Sequence, residues 1–321
     1  MGELLYLSSE DIAALEIKPR AAREALAQAF RLHAEGKAHV QPKLTVPVGP
    51  GHFFQSLCAA MPDPPFAATK WVGVAADNGE RGLPNVNGLI VVSEFTTGVP
   101  VAVMDGTGLT VLRTAAMSAL AASYLARPDS STIGFIGCGA QAYGHLASLR
   151  DVLPGLRGVV CSSRSRASAE KLAEWAHEGG LDAEVVDRPD EALACDVVVT
   201  TVPAQPGLEP LLDASLLRPG CFVAAVDLGR PWRGVGLRTL DILATDDHAQ
   251  AADPSNQAKL RYPGPFDADL ASLVVGTAPG RTDVRQRAMF LFPGFALGDL
   301  AIAAEVIAEA ERTGRGLYLP L

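Results

Sequence analysis

The sequence predicts an α/β protein, a doubly wound parallel sheet accompanied by a second α/β domain, and three observations carry that reading. From Thr132 onward short apolar runs alternate strictly with helical patterns, as they do where a parallel sheet is covered on both faces. The run Thr132–Ile136 breaks off in Gly137-Cys138-Gly139, and a helical pattern begins at once at Ala140. Such strand–turn–helix junctions are where doubly wound sheets hold ligands. Residues 39–101 have a different character, with short strand-like runs separated by turn residues. At 321 residues the chain is long enough to bury two cores.

The elements follow in order. Ser8-Ser9-Glu10-Asp11 opens a short helix, with hydroxyls suited to capping and acids in its first turn. Pro19 starts a second helix through about His33, with Ala22, Leu26, Ala29 and Phe30 on one face. Strands are expected at 43–48, 52–58, 69–75 and 88–93. The last of these pairs as a hairpin with 99–104 across Glu94-Phe95-Thr96-Thr97-Gly98. An alanine-rich helix spans Leu109–Leu125 and ends near Pro128. Beyond it, strands are expected at 132–136, 158–161, 183–186, 197–201, 221–226 and 242–245. The clearest intervening helix runs from about Arg166 to His177, stopped by Gly179-Gly180. A last long helix covers 294–313.

Composition narrows the function. A net charge of −9 argues against a nucleic acid or an anionic membrane as partner. No apolar run approaches the roughly 18 residues of a membrane span. The N-terminal stretch has no basic segment followed by a long apolar one, and Leu5-Tyr6-Leu7 does not complete a myristoylation signal, so a cytoplasmic protein is expected. The five cysteines are scattered without a C-x-x-C pair, as in a reduced compartment, and the six histidines form no metal-ligand pattern. No metal is expected, and no G-x-S-x-G elbow supports a serine hydrolase.

The glycine string has the G-x-G-x-x-A form of a dinucleotide fingerprint. Gly137 allows the tight turn and Gly139 the close approach of backbone to a pyrophosphate. Ala140, Gln141 and Ala142 form the helix start, whose N-terminus favours negative charge. An ordinary tight turn would also want these glycines; the strand before and the helix after favour a nucleotide. After the second strand, NAD binders place an acid that grips the ribose. Ser162-Ser163-Arg164-Ser165-Arg166 stands there instead. Ser163, Arg164 and Arg166 suit a 2′-phosphate, so NADP(H) is expected, with NAD(H) as the alternative. The competing reading is a helix cap beside solvated arginines.

Several strings together resemble the ornithine cyclodeaminase/mu-crystallin family. They are Thr69-Lys70-Trp71-Val72, Leu83-Pro84-Asn85, Gly98–Gly106, Leu109-Thr110-Val111-Leu112-Arg113-Thr114-Ala115-Ala116 with Ser118-Ala119, Ile136–Ala142, Pro279–Arg281 and Gly294–Asp299. The resemblance covers nearly the whole chain. It implies an NAD(P)-binding Rossmann domain at 126–294, set into a substrate-binding and dimerisation domain at 1–125 that 295–321 rejoins. It also implies a homodimer. The abundance of edge strands between Lys43 and Met104 points the same way.

The resemblance also implies chemistry on a small α-amino or α-imino acid. Such an enzyme must hold a carboxylate, and Arg113 and Lys70 are suited to it. By itself Arg113 could be a solvated surface residue, and Lys70, in an apolar run, could snorkel at a strand edge. In the family the lysine matching Lys70 contacts substrate and shuttles a proton. Lys43 matches a carboxylate-binding arginine of some relatives, keeping the charge without the bidentate fork. Gln55 stands where the cyclodeaminase has a glutamate, and Gly229 where the family has its catalytic aspartate. Asp227, two residues earlier, could substitute or could cap the loop. Thr201 and Asp299 complete the expected cofactor set. The leading expectation is NADP(H)-dependent reduction of an α-imino acid or oxidation of the amino acid. The alternatives are cyclodeamination of ornithine or lysine with loss of ammonia, and a crystallin-type binding protein without turnover.

Overall fold

The computed structural model describes residues 2–205 and 207–321. By internal contacts it divides into Met1–Arg113 with Phe295–Leu321, and Thr114–Gly294. The division falls inside a helix, at Arg113, and not at the Leu125 helix end used above to bound the domains.

The first unit contains β1 (Glu3–Leu7), α1 (Ser9–Ala14), α2 (Pro19–Ala34), β2 (His39–Val40), β3 (Leu44–Gly49), β4 (His52–Pro62), β5 (Pro65–Ala75), β6 (Val86–Glu94), β7 (Pro100–Asp105) and the start of α3 (Gly106–Leu125). Local chemistry sets the starts of both early helices. Ser8 and Asp11 form a reciprocal capping box on α1, and Pro19 supplies the preset backbone angle at the start of α2. The expected apolar face of α2, Ala22, Leu26, Ala29 and Phe30, is buried. The strands β4 to β7 form an antiparallel meander, including the expected β6–β7 hairpin.

Two strands of this sheet escape a local reading. β1 runs parallel to β7, and the C-terminal β16 (Leu317–Pro320) pairs antiparallel with β1. The sheet order is therefore β16-β1-β7-β6-β5-β4-β2, with β3 also on β4. The chain end returns through α11 (Ala296–Thr313), which packs on α2, β4 and β5. Leu297, Leu300, Ala301, Ile302 and Ala303 are all buried, so α11 is a core helix without a solvated face along this stretch.

In the second unit the strands are β8 (Thr132–Ile136), β9 (Gly158–Ser162), β10 (Asp182–Val185), β11 (Val197–Thr200), β12 (Phe222–Ala225), β13 (Ile242–Thr245), β14 (Ala268–Asp269) and β15 (Ala288–Leu291). The longer helices α4 (Ala140–Val152) and α5 (Arg166–Glu178) follow β8 and β9. The short ones are α6 (Pro189–Ala192), α7 (Gly234–Leu237), α8 (His248–Ala252), α9 (Pro254–Gln257) and α10 (Leu270–Val275). Every strand pair is parallel, in the order β10-β9-β8-β11-β12-β15-β13-β14. The six expected strands are present, and β14 and β15 add to them. β15 inserts between β12 and β13. Its four residues are too few to show a period.

Close backbone approach tightens this sheet. Gly280 has φ of 66°, and a Cβ there would lie 2.8 Å from the Tyr124 carbonyl oxygen. The Pro-Gly-Arg turn thus delivers Arg281 inward, where its guanidinium donates to the carbonyls of Leu125 at 2.7 Å, Cys221 at 3.3 Å and Gln286. Among the described residues no helix is long and apolar enough to cross a membrane.

On β8, a Cβ on Gly134 would meet the Ala192 carbonyl oxygen at 2.3 Å. Gly134→Ala is therefore expected to lower stability by about 1–3 kcal/mol through overpacking. A lower denaturant midpoint at unchanged slope checks this; an unmoved midpoint means that α6 yields freely.

Candidate functional site

Three charged side chains from distant parts of the first unit meet in its interior. Lys70 lies mid-strand in β5, and its cross-strand partners are Leu57 of β4 and Ile90 of β6, both buried. Its Nζ donates to Asp299 Oδ1 at 2.6 Å and to Thr110 Oγ1 at 3.3 Å. Arg113 Nε lies 3.1 Å from the same Asp299 oxygen. Thr110 and Arg113, one helical turn apart, share a face of α3. The Thr110 hydroxyl donates to the Gly106 carbonyl at 2.6 Å, leaving its lone pair toward Lys70.

The electrostatics follow from burial. Lys70, Arg113 and Asp299 are all buried, and the two cations meet at one carboxylate oxygen. Loss of hydration pushes the Lys70 ammonium down to about 8, and the Arg113 charge adds to the fall. The Asp299 charge and hydrogen bond oppose it. Asp299, expected at the cofactor, is thus tied to the two basic residues instead, because it enters on the first turn of α11, which packs on β5. Gln55 shares the Lys70 face of the sheet, two positions along β4 from Leu57, and donates to Thr45 Oγ1 at 3.0 Å. Lys43 precedes β3 and is half-buried.

The second unit carries a cavity of about 490 Å³ at the carboxyl ends of β8, β9 and β11, where the strand order reverses. Gly137, Gly139, Ser163, Arg164 and Thr201 all line it, so the structure brings together five of the expected cofactor residues. Gly137 has φ of 96°, and a Cβ there would lie 2.7 Å from Thr201 Oγ1. The Thr201 hydroxyl donates to the Gly137 carbonyl at 2.9 Å, pinning the turn. Gly139 has open space before it and no side chain to cap α4, so the start of that helix is accessible to an anion. Ala140 and Gln141 lie in the first turn, and buried Ala142 seats the helix on the sheet. These features fit a dinucleotide.

Arg166 departs from expectation. It pairs with Glu170 at 3.0 Å and Asp187 at 2.7 Å and does not line the cavity, because as the first residue of α5 it points along its own helix. Arg164 does line it, and its guanidinium donates to Gln205. Neither Gln205 nor Thr110 was picked out from sequence. Gln205 lies in a loop without a local signal, whereas Thr110, three residues before Arg113, was available from the helical spacing.

Asp227 follows β12, buried beneath its loop. It accepts from Thr200 Oγ1 at 3.0 Å, Val202 N at 2.9 Å and Gly229 N at 3.2 Å. Burial raises its carboxyl to about 6 against the lowering effect of these donors. The Gly229 backbone is left-handed at φ of 71°, and a Cβ there would come within 2.6 Å of Leu291 Cδ1. An aspartate at 229 would need both strain and displacement of Leu291.

The comparisons bear on this arrangement. The family model of the ornithine cyclodeaminase/mu-crystallin family matches residues 5–314. The chain belongs to that family. The alanine dehydrogenase of Archaeoglobus fulgidus is 33% identical to it over 96% of this chain and 95% of its own. A solved archaeal alanine dehydrogenase dimer with bound NAD superposes with a TM-score of 0.86 at 30% identity, covering 100% of each chain. The Thermococcus litoralis Δ1-pyrroline-2-carboxylate reductase, solved with NADH and L-proline, gives 0.88 at 27% identity, over 98% of this chain and 100% of that one. In this member of the ornithine cyclodeaminase/mu-crystallin family, the loop after β12 therefore has its aspartate at 227 and a glycine at 229.

Replacing Asp227 with Asn would turn an amide N–H₂ or misplace an oxygen against one of three donors. Asp227→Asn is expected to cost about 1–3 kcal/mol of stability. Because the native carboxyl protonates before the unfolded one, the wild type gains relative to the variant as pH falls through about 6. Equal denaturation midpoints across that range would leave Asp227 without a loop-holding role.

Proposed function

We propose that this protein is an NAD(P)H-dependent oxidoreductase that reduces a small α-imino acid, or oxidises the matching α-amino acid. The buried Lys70–Arg113–Asp299 cluster carries the reading. It brings two buried basic side chains together, which suits a substrate carboxylate, with Arg113 as the fixed cation and half-buried Lys43 adding positive field. A lysine held near 8 keeps its proton at neutral pH yet can give it up, as a general acid must. When bound, the reduced nicotinamide supplies the hydride. Lys70 Nζ delivers the proton that accompanies it, and the imine becomes an amine. The relatives named as an alanine dehydrogenase and a pyrroline carboxylate reductase support this substrate class.

Reduction is favoured over cyclodeamination by the acid inventory. The Gln55 amide donates to Thr45, Gly229 has no side chain, and Asp227 is occupied by three donors, two from the end of β11 and one from its own loop. No carboxylate remains among these positions to orient a second amine. Asp227 then serves the loop, and proton transfer falls to Lys70.

For the cofactor we favour NADP(H). Ser163 and Arg164 line the cavity without an acid at that turn, and Arg166 neutralises Asp187, the carboxylate that also lines it. The solved relatives hold NAD and NADH, so such a preference would set this chain apart from them. The assembly is a homodimer through the sheet face opposite Lys70. There Phe54 and Trp71 stack at 5.5 Å, and Trp71 and Leu89 are 48% and 49% exposed, an apolar area that a second copy would cover. The alanine dehydrogenase dimer supports this. A reducing cytoplasm accords with the five free cysteines.

Incubation with Δ1-pyrroline-2-carboxylate, or with pyruvate and an amine, is expected to consume NADPH. The rate should hold below about pH 8 and fall above it as Lys70 loses its proton. Arg113→Ala should raise KM or abolish turnover while NADPH binding stays nearly unchanged. Ornithine converted to proline and ammonia without net cofactor change would instead establish cyclodeamination.

Loss of one charge-assisted contact costs about 1.5–3 kcal/mol. Arg164→Ala should therefore weaken NADPH by roughly 10- to 100-fold and NADH far less. Equal affinity of the unaltered protein for both cofactors would rule out the NADP(H) preference.

A further inference from the structure

We propose that Asp299 is a positioning residue for proton transfer: its Oδ1 fixes the Lys70 ammonium, and through that contact it sets whether Lys70 keeps its proton. The inference rests on Lys70 being the proton donor of the proposed reaction, and it assigns to Asp299 a role apart from cofactor binding.

Geometry singles out Asp299. Lys70 Nζ reaches it at 2.6 Å and Thr110 only at 3.3 Å, and the Thr110 hydroxyl is already committed to Gly106. From β4 and β6 the side chains paired with Lys70 are Leu57 and Ile90, neither of which titrates. Among the described residues, the charged groups that act most on Lys70 are Arg113 from α3 and Asp299 from α11. Arg113 drives the lysine proton off and Asp299 retains it, so the balance turns on one carboxylate oxygen shared by both cations.

Asp299 is also held where it cannot drift. It sits on the first turn of α11, where the helix dipole favours a carboxylate. Phe295, immediately before that helix, is buried against Phe30 at 5.9 Å and His33 at 5.2 Å between ring centres. Its Oδ2 is buried without a hydrogen-bond partner among the described residues. A carboxylate serving only to join chain segments would gain from a donor at each oxygen. This one directs both of its close contacts to the two basic residues through Oδ1.

The Lys70 protonation state can be read directly. In protein labelled at lysine Cε, the ¹³C resonance that Lys70→Arg removes is expected to titrate near 8. In Asp299→Asn its midpoint should fall by about one pH unit or more, a tenfold change in the acid constant. In Arg113→Gln it should rise, and Asp299→Glu should restore a near-native midpoint. If Asp299→Asn does not fold, the double variant Asp299→Asn/Arg113→Gln balances the charge. Its midpoint should lie about one unit below that of Arg113→Gln alone. A Lys70 midpoint indifferent to the residue at 299 in whichever of these variants folds overturns the inference.

The alkaline limb of imine reduction should move with the resonance. A protein that reduces no imine, yet shows the midpoint shifts, would sink the proposed reaction and leave the Asp299–Lys70 linkage standing. Imine reduction with an unmoved midpoint would do the reverse.

Discussion

The contact between Lys70 and Asp299 joins residues 229 positions apart, and the first unit is organised to make it. Asp299 reaches β5 only because the chain, after completing the second unit, returns as α11 and ends as β16 beside β1. Burial of an ion pair is not in itself a source of stability, since the desolvation of both charges offsets much of their attraction. Here a third charge, Arg113, is buried against the same carboxylate oxygen. A core chosen for stability alone would put apolar side chains at these three positions.

The nucleotide cavity is built on the opposite plan. Its binding groups are largely backbone: a glycine with positive φ at 137, an open Gly139 and an uncapped start of α4. The side chains there mostly hold the loop, as Thr201 does on the Gly137 carbonyl. Charge is also consumed locally, with Arg166 bound between Glu170 and Asp187. Arg164 differs in reaching the cavity, and its partner Gln205 is neutral. A neutral partner fixes the guanidinium without cancelling its charge, so an arriving phosphate would meet a cation already placed.

This contrast explains what could be read from the residues alone. The glycine turn lies within one strand–helix junction, so its spacing was enough to locate Gly137, Gly139 and Ala142. The hydrophobic period found α2, and the alternation of runs found six strands of the parallel sheet. The contact of Asp299 with Lys70 and Arg113 could not be read in the same way. Its own neighbourhood, a glycine followed by an apolar helix, says nothing about β5, and the pairing depends on a fold-level return. Likewise β1, β15 and β16 are short runs whose strand state comes from their neighbours. Arg166, expected at the cofactor, pairs with Glu170 one turn along its helix and with Asp187.

The loop after β12 is closely packed around Gly229. At 229 the backbone is left-handed, and Leu291 of β15 fills the space a side chain would need. A side chain there would have to displace the end of Leu291. The two oxygens of Asp227 are held by Thr200 and Val202 at the end of β11 and by Gly229 of its own loop. Its burial raises its proton affinity, but a group so enclosed must break loop contacts before it can exchange a proton with anything else. Lys70 is under no such restraint from the backbone. Its two acceptors are side chains, and its charge is contested by neighbours of both signs. The proton affinity of Lys70 is therefore set by neighbouring charges, whereas the Asp227 carboxylate is fixed by hydrogen bonds from β11 and its own loop.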